Sequence, residues 1–543
     1  MTSISKLTTL VAASLALGLN FINASASSAA DTTRPEKGEI AFGSAPSYQI
    51  YDIGVVQVGD TSSQGFGVSP GGVAVGRSFR TGATQAFSWT TAGGLVGLPN
   101  LAGRNFCVSN SANDSGTVVG TGATTTFGSG RLPLVWQNGA VSQLPLPAGQ
   151  TLGDANDVNA SGVAVGSVNS GSAQRAAIYN GGTGTVITQT TPGGSFFQTA
   201  FGINDSGRIV GPGIDPNNAA RNVGMVYDTG SASAFEVGAL PDANGALAFG
   251  VSNTGFVTGS SMMNQGSGLP FIWSDAGGIV AVPLPVGTSQ GSGRAVNSAG
   301  WVVGTASSAF AIPFLFDGSN TYRLQDLIPA GTGWDLSMNT SSSALGISDN
   351  NIIVGTGVFN GNVRAYAMVP AFQLDSAVSR KVHGDAGTFD IPLALSGSPD
   401  VECRSGGMNG DYTLVFTFSN NLTSGSAGVS AGTGAVSGSP TFTGNTMTVN
   451  LTGVADVQTL TVTLSNVTDS LSQVLPATAV SVNMLIGDIN AGSGVNATDI
   501  GIVKSQSGQP VTAANFRADI DAGGVANASD VSQVKANAGH NLP

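Results

Sequence analysis

An eleven-residue phrase, FGINDSGRIVG from Phe201 to Gly211, limits what this chain can fold into more than any other feature. It reads as an apolar run, an Asn, a small polar turn with Gly, a second apolar run and a closing Gly. Variants close at Gly76, Gly120, Gly166, Gly259, Gly304 and Gly355, so seven copies follow one another at steps of 44 to 51 residues. A period in the forties marks a supersecondary unit that cannot bury its own apolar face and must stack on its neighbours. The unit around Phe201 divides into four short strands: Thr199 to Asn204, Arg208 to Gly211 after the turn Asp205-Ser206-Gly207, then Val223 to Asp228 and Phe235 to Leu240. Charged residues are 9% of the 543 and Gly numbers 79, which suits tight turns between strands better than long surface helices.

Four antiparallel strands per unit is what one blade of a β-propeller requires. A propeller must also join its last blade to its first to hide the sheet edges. The segment Tyr48 to Gly54 precedes the first phrase where a fourth strand belongs, and the last unit supplies Val363 to Val369 before the pattern stops. The expectation is therefore a mainly β chain with a seven-bladed β-propeller over residues 48–370, closed by strand exchange, with an open solenoid as the alternative.

The phrase resembles the HAF-type repeat of bacterial extracellular proteins, A-x-x-I-N-x-x-G-x-V-V-G followed by an apolar-aromatic segment such as A-F-x-W. The second part stands here as Ala86-Phe87-Ser88-Trp89, Pro133-Leu134-Val135-Trp136 and Pro270-Phe271-Ile272-Trp273, and departs at Ala176 to Tyr179 and Pro313 to Phe316, which lack the Trp. The resemblance implies a secreted repeat protein and brings no catalytic residue with it.

Within the repeats, Asn159, Asn204, Asn253 and Asn297 could line a rim and hold sugar hydroxyls or an ion. The plainer reading is that each begins a hairpin turn, since Asn tolerates left-handed backbone and bonds its own chain. Trp89, Trp136 and Trp273 read as packing between blades rather than a sugar platform, while Trp301 and Trp334 are candidates for a surface contact.

The first 26 residues carry Lys6, an apolar stretch from Leu7 to Ile22 and Ala24-Ser25-Ala26, the pattern of a removed secretory signal, with an uncleaved membrane anchor as the alternative. Residues 27–47 read as a flexible lead-in. No later stretch is long and apolar enough to span a bilayer, so the mature chain is expected outside the cell, with attachment at the cell surface as a variant. The net charge of -12 is spread without a basic run, which argues against nucleic acid. Cys107 and Cys403 fall in different expected domains, and two unpaired thiols is the simpler reading than a bridge.

After Pro370 the repeat ends. Phe389 to Leu393, Tyr412 to Phe418, Thr446 to Leu451 and Thr459 to Leu464 alternate apolar and polar residues as half-buried strands do, and residues 371–485 are expected to form an immunoglobulin-like β-sandwich. His383, beside Lys381 and Asp385, is either a titrating switch or, more simply, a surface or satisfied histidine.

Residues 486–543 hold the most chemically specific stretch. Asp488 to Asp499 reads DINAGSGVNATD and returns after 31 residues as DIDAGGVANASD, Asp519 to Asp530, each loop entering a short helix. Oxygen side chains at loop positions 1, 3, 9 and 12 suit Ca²⁺, a hard cation that takes about six to eight oxygens; two Asx-capped helices without metal is the alternative. The pair resembles a type I dockerin, a small α-helical module of duplicated calcium loops that docks onto a cohesin. The resemblance implies two Ca²⁺ ions, one held by Asp488, Asn490, Asn496 and Asp499 and one by Asp519, Asp521, Asn527 and Asp530. Position 5, usually Asp or Asn, is Gly492 and Gly523, which removes a ligand from each loop. A cohesin-like partner or cell-surface scaffold would meet Ala497, Thr498 and Lys504 and their counterparts Ala528, Ser529 and Lys535. His540 reads as a tail residue.

These features point to a secreted, noncatalytic recognition or assembly protein, with extracellular polysaccharide as a second partner class. Only two His and the four Glu at 36, 39, 236 and 402 are present. The rival is a polysaccharide-degrading hydrolase or lyase, which would need two carboxylates about 5 to 10 Å apart; Asp154, Asp157, Asp215 and Asp242 are the carboxylates it could draw on.

Overall fold

A computed structural model describes residues 45–125, 128–169, 174–218, 220–263 and 267–542. The expected signal, 1–26, and nearly all of the lead-in lie outside them. Ala45–Pro543 cluster as one compact unit, and no helix among the described residues is long and apolar enough to cross a membrane.

The chain is mainly β and propeller-like. Residues 48–370 build seven successive antiparallel units, and the first strand of each lines one shared cavity. In the third, Leu152–Val158, Ala164–Asn169, Gln174–Asn180 and Thr183–Val186 pair in chain order. The first two units touch edge to edge through one parallel pair, Thr84 with Phe106. In the seventh, the fourth place is taken by Tyr48–Asp52, which runs antiparallel to Asn362–Pro370.

Each unit shares a core with the next, because neither sheet has enough apolar surface to close on itself. Val75 and Ala86 of unit 1 pack with Cys107, Leu134 and Trp136 of unit 2. Similar clusters join units 2 to 3, 3 to 4, 4 to 5, 5 to 6 and 6 to 7. The last packs Ile352, Val354 and Ala365 of unit 7 against Ala74, Phe87 and Trp89 of unit 1. The row of sheets meets its own beginning.

The closing glycines of the phrase have a steric cause. In six units the pairing of the first two strands skips one residue, a β-bulge. The backbone kink drives a carbonyl onto the facing strand. At Gly166 a Cβ would fall on the carbonyl oxygen of Asp154, far inside the roughly 3 Å that real Cβ atoms keep, and the other six closing glycines face the equivalent carbonyl in the same way. Unit 4 goes further: its expected first strand, Thr199 to Asn204, is split into Phe196–Phe197 and Gly202–Ile203. Pro212 accepts from Gln198 and Thr199 through its carbonyl but has no N–H to return, so the ladder opens there.

The hairpin turns are locked around the ring. Asn113, Asn159, Asn204 and Asn297 each accept from the backbone N–H four residues on, at 2.8 to 3.0 Å. Ser69, Ser252 and Ser348 do the same with their hydroxyls. Each of the four Asn also donates Nδ2 to the matching carbonyl of the next unit, at 2.9 to 3.3 Å. The plain turn reading thus describes Asn159, Asn204 and Asn297, with inter-sheet bonding added. Asn253 is a correction: Ser252 occupies the turn position in unit 5, and Asn253 pairs instead with Asp205. Trp334 is also corrected. It is buried against Phe359 and Tyr366, and Trp301 packs on the same cluster, because both fill the gap between units 6 and 7.

After Pro370 two sheets face one another. One orders Thr388–Leu393, Leu374–Val382, Tyr412–Phe418, Thr446–Thr452 and Ala435–Val436; the other orders Val401–Glu402, Thr478–Met484, Gln458–Asp469 and Leu422–Ala431. Phe416, Phe418, Met447, Leu460 and Val482 fill the space between them. This layer is seated on the ring: Thr91 donates to Leu471 O at 2.8 Å, Gln473 donates to Pro370 O at 2.9 Å, and Leu471 enters the core of units 7 and 1.

Candidate calcium loops and an axial cavity

The duplicated loops fold alike because the same side chains cap the same backbone groups. In the first, Asp488 accepts from Gly492 N at 2.8 Å and Ser493 N at 2.9 Å. In the second, Asp519 accepts from Gly523 N at 3.1 Å and Gly524 N at 2.9 Å. Asn496 and Asn527 then cap helices α1, Ala497–Gln506, and α2, Ala528–Ala536, while Asp499 and Asp530 return a bond to the cap backbone, a reciprocal capping box. The two copies cross-pair about a pseudo-twofold. Gly494 bridges to Asn541 behind α2, and Val525, its counterpart, bridges to Pro510 behind α1.

Asp519, Asp521 and Asp530 each present an oxygen within 4.8 Å of the others. Ligand oxygens at about 2.3 to 2.6 Å from one ion lie within that spread, so the second loop fits Ca²⁺. In the first loop Asn490 replaces the acid at position 3, leaving two carboxylates and two amides. Asp488, Asp499, Asp519 and Asp530 are buried, whereas Asn490 and Asp521 face solvent. Burial, with like charge from Asp499, raises the Asp488 carboxyl above its ordinary value, and burial does the same to Asp530 beside Asp521 and Asp519. A divalent cation would offset that crowding. Asn496 and Asn527 spend their Oδ1 on the helix caps, at 2.8 and 2.7 Å. Ala497, Thr498, Lys504, Ala528, Ser529 and Lys535 are all exposed, on the outer ends of the helices.

The loops are not free of the sandwich. Ile391, Val401 and Cys403 share a core with Ile489, Val503, Ile520 and Val534. His383 Nδ1 lies 2.8 Å from Asp519 Oδ2, both fully buried. On its other side Arg404 NH1 is 3.2 Å from His383 Nε2. A guanidinium only donates, so Nε2 accepts and Nδ1 carries the proton given to Asp519. Burial holds the His383 pKa below its ordinary value against the pull of Asp519. Arg404 in turn pairs with buried Glu402 at 2.7 Å, and Ser379 donates to the same carboxylate. His383 is therefore the satisfied histidine of the two readings, although buried rather than on the surface. Its partner lies 136 residues away, which no local pattern signals. His540 is more than a tail residue, since its carbonyl accepts from Val495 N at 2.9 Å. Cys107 and Cys403 are both free and buried.

A second site lies on the axis of the ring. A cavity of about 350 Å³ is lined by the inner strands of all seven units. The residue ten before each closing glycine lines it: Phe66, Asn110, Asn156, Phe201, Phe249, Arg294 and Leu345, six of them the skipped residues of the bulges. Bulges re-aim a side chain; here they turn this girdle inward. Because the position varies freely while the glycine does not, the repeat pattern passes over it. Asp157 faces the same space, accepting from Ser111 Oγ at 2.6 Å and Ile203 N at 2.8 Å, and burial pushes its carboxyl up to about 6. Asp154 sits on the opposite face, paired with Arg131 at 3.1 Å, and Asp215 is paired with Arg221 at 2.8 Å.

No family model matches the chain, and no curated protein matches it. Among solved structures, it is similar to a protein described as TolB from Agrobacterium tumefaciens, at 14% identity and a TM-score of 0.29, over 60% of this chain and 98% of that one. It is also similar to a catalytically inactive virginiamycin B lyase from Staphylococcus aureus, at 12% identity and a TM-score of 0.32, over 60% and 100%. A third is Trypanosoma rangeli sialidase, at 12% and 0.30, over 80% and 88%.

Proposed function

We propose that this is a secreted, noncatalytic recognition and assembly protein. In this reading the seven units are the blades of a closed seven-bladed propeller, residues 371–485 are an immunoglobulin-like spacer, and residues 486–543 are a dockerin-like module that binds two Ca²⁺ ions and docks onto a cohesin-type partner. One observation carries it: both loops adopt the same capped geometry about a pseudo-twofold and leave the six candidate contact residues exposed. Ca²⁺ would be held by Asp488, Asn490 and Asp499 in one loop and by Asp519, Asp521 and Asp530 in the other, with Asn496 and Asn527 ordering the helices. The enzymatic reading draws less support, because Asp154 and Asp215 are neutralised by Arg131 and Arg221.

The test uses the mature chain, because the sandwich completes the core of the loops. Adding Ca²⁺ at about 100 times Kd should stabilise the tail by about 2.7 kcal/mol for each site filled. The double variant Asn490→Ala with Asp521→Ala removes two exposed ligands and no buried partner, and should abolish the gain. A melting profile indifferent to Ca²⁺ in the unmutated protein would reject the metal assignment.

A further inference from the structure

We propose that the axial channel binds an acidic sugar of the hexuronate class, with its ring against Phe201 and Phe249, its hydroxyls on Asn110 and Asn156, and its carboxylate on Arg294. This deepens the recognition reading of the ring and owes nothing to the calcium loops.

Each contact follows from what the girdle residues leave unused. Asn110 and Asn156 give their Nδ2 to carbonyls of the next unit, Ala155 O and Ala200 O, both at 2.8 Å. Their Oδ1 atoms accept nothing from the described residues and remain acceptors for hydroxyl groups. Phe201 and Phe249 lie 5.8 Å apart and tilted, and Phe201 is 38% exposed, an unusual amount for a large apolar side chain. Aromatic faces stack on the C–H faces of sugar rings, the one part of a sugar that water hydrates poorly.

The charge of the ligand is set by the guanidiniums. Arg294 stacks on Phe249 at 4.6 Å and has no carboxylate or hydrogen-bond partner among the described residues. Burial lowers its pKa, and the same holds for Arg77, whose donors meet only Gln64 and the face of Phe66. Arg294 is exposed to the solvent of the channel, and an accessible cation without a counter-ion is stabilised by an incoming anion. The four aspartates of the channel differ, because each carboxylate already accepts from the protein: Asp114 from Gly71 N, Asp157 from Ser111 Oγ and Ile203 N, Asp205 from Ala160 N and Asp349 from Ser298 N.

Asp114, Asp205 and Asp349 stand at the hairpin-turn mouth and repel an anion there. The opposite mouth opens into a second cavity of about 440 Å³ that Arg77 lines, and the two cavities share Asn110, Asn156 and Phe201. An anionic sugar therefore enters past Arg77. Both volumes sit in the lower part of the range for small-molecule sites, roughly 300 to 1,000 Å³, which suits one or two sugar units.

The experiment is calorimetric titration of the mature chain without calcium, at about 0.15 M salt, using digalacturonate, glucuronate, glucose and acetate as probes. Digalacturonate and glucuronate should bind at least about ten-fold more tightly than glucose or acetate. Arg294→Gln should remove that preference. Arg294→Lys should keep most of it, and Phe201→Ala should weaken every sugar. Tryptophan emission identical to the parent confirms that each variant is folded. Uronates binding no better than glucose, or equal uronate affinity in Arg294→Gln, would overturn the proposal. Neither result would touch the calcium reading, whose own test is thermal.

Discussion

Replacing the closing glycine of unit 3, Gly166→Ala, tests whether the bulge geometry sets the repeat. The new Cβ meets only backbone: the carbonyl of Asp154 and the Cα of Ala155. That carbonyl cannot swing aside cheaply. Tyr179 Oη donates to it at 3.2 Å, and the Asp154 side chain is held by Thr121, Ser167 and Arg131. Relief requires the strand to shift where Gly153, Asp154 and Ala155 are buried. Overpacking costs about 1–3 kcal/mol, and loss of the Tyr179 bond adds about 1 kcal/mol, giving about 2–4 kcal/mol in all. The control is Gly162→Ala in the same hairpin, where φ is +78° and the Cβ meets nothing within 4 Å. There only the left-handed backbone is penalised, by about 1–2 kcal/mol. All five tryptophans lie between positions 89 and 334, so urea unfolding followed by tryptophan emission reports on the ring alone. If Gly166→Ala loses no more stability than Gly162→Ala, the steric account of the repeated glycine is wrong.

Other outcomes follow from single groups. Asp157 titrates near 6 in the folded chain against an ordinary 3.8, so between those values the native state holds more protons than the unfolded one and stability falls as pH rises. Ring stability by urea should decline by up to about 3 kcal/mol between pH 4 and 7 from this group, and Asp157→Asn should flatten that slope; an unchanged slope would refute the assignment. Arg404→Met strands Glu402 without its charge partner and leaves His383 Nε2 facing a thioether, and should cost about 3–5 kcal/mol, read as early proteolysis of the sandwich and tail in a time course where the parent stays intact. Cys403 is pushed up to about 12 by burial, and Cys107 is also raised by burial; neither should react with a thiol reagent at pH 8 until the protein unfolds, and rapid labelling of the native chain would contradict their placement.

What was legible in the amino-acid order was whatever neighbours in the chain decide. The hairpin at Asn204 to Arg208, the strand Tyr48–Asp52 in the place of a missing fourth strand, and the loops at Asp488 and Asp519 all rest on contacts a few residues long or on repetition of one such contact. Folding in three dimensions decided the rest. The inward girdle, Arg294 on Phe249 and the two acceptors Asn110 and Asn156, occupies a position of the phrase that does not repeat, so it becomes visible only when the inner strands of seven units face one axis. The bond from His383 to Asp519, and the core in which Cys403 meets Val534, join segments far apart along the chain. Such contacts depend on where two sheets and a pair of helices come to rest against each other, and packing of that kind leaves no periodic trace in sequence.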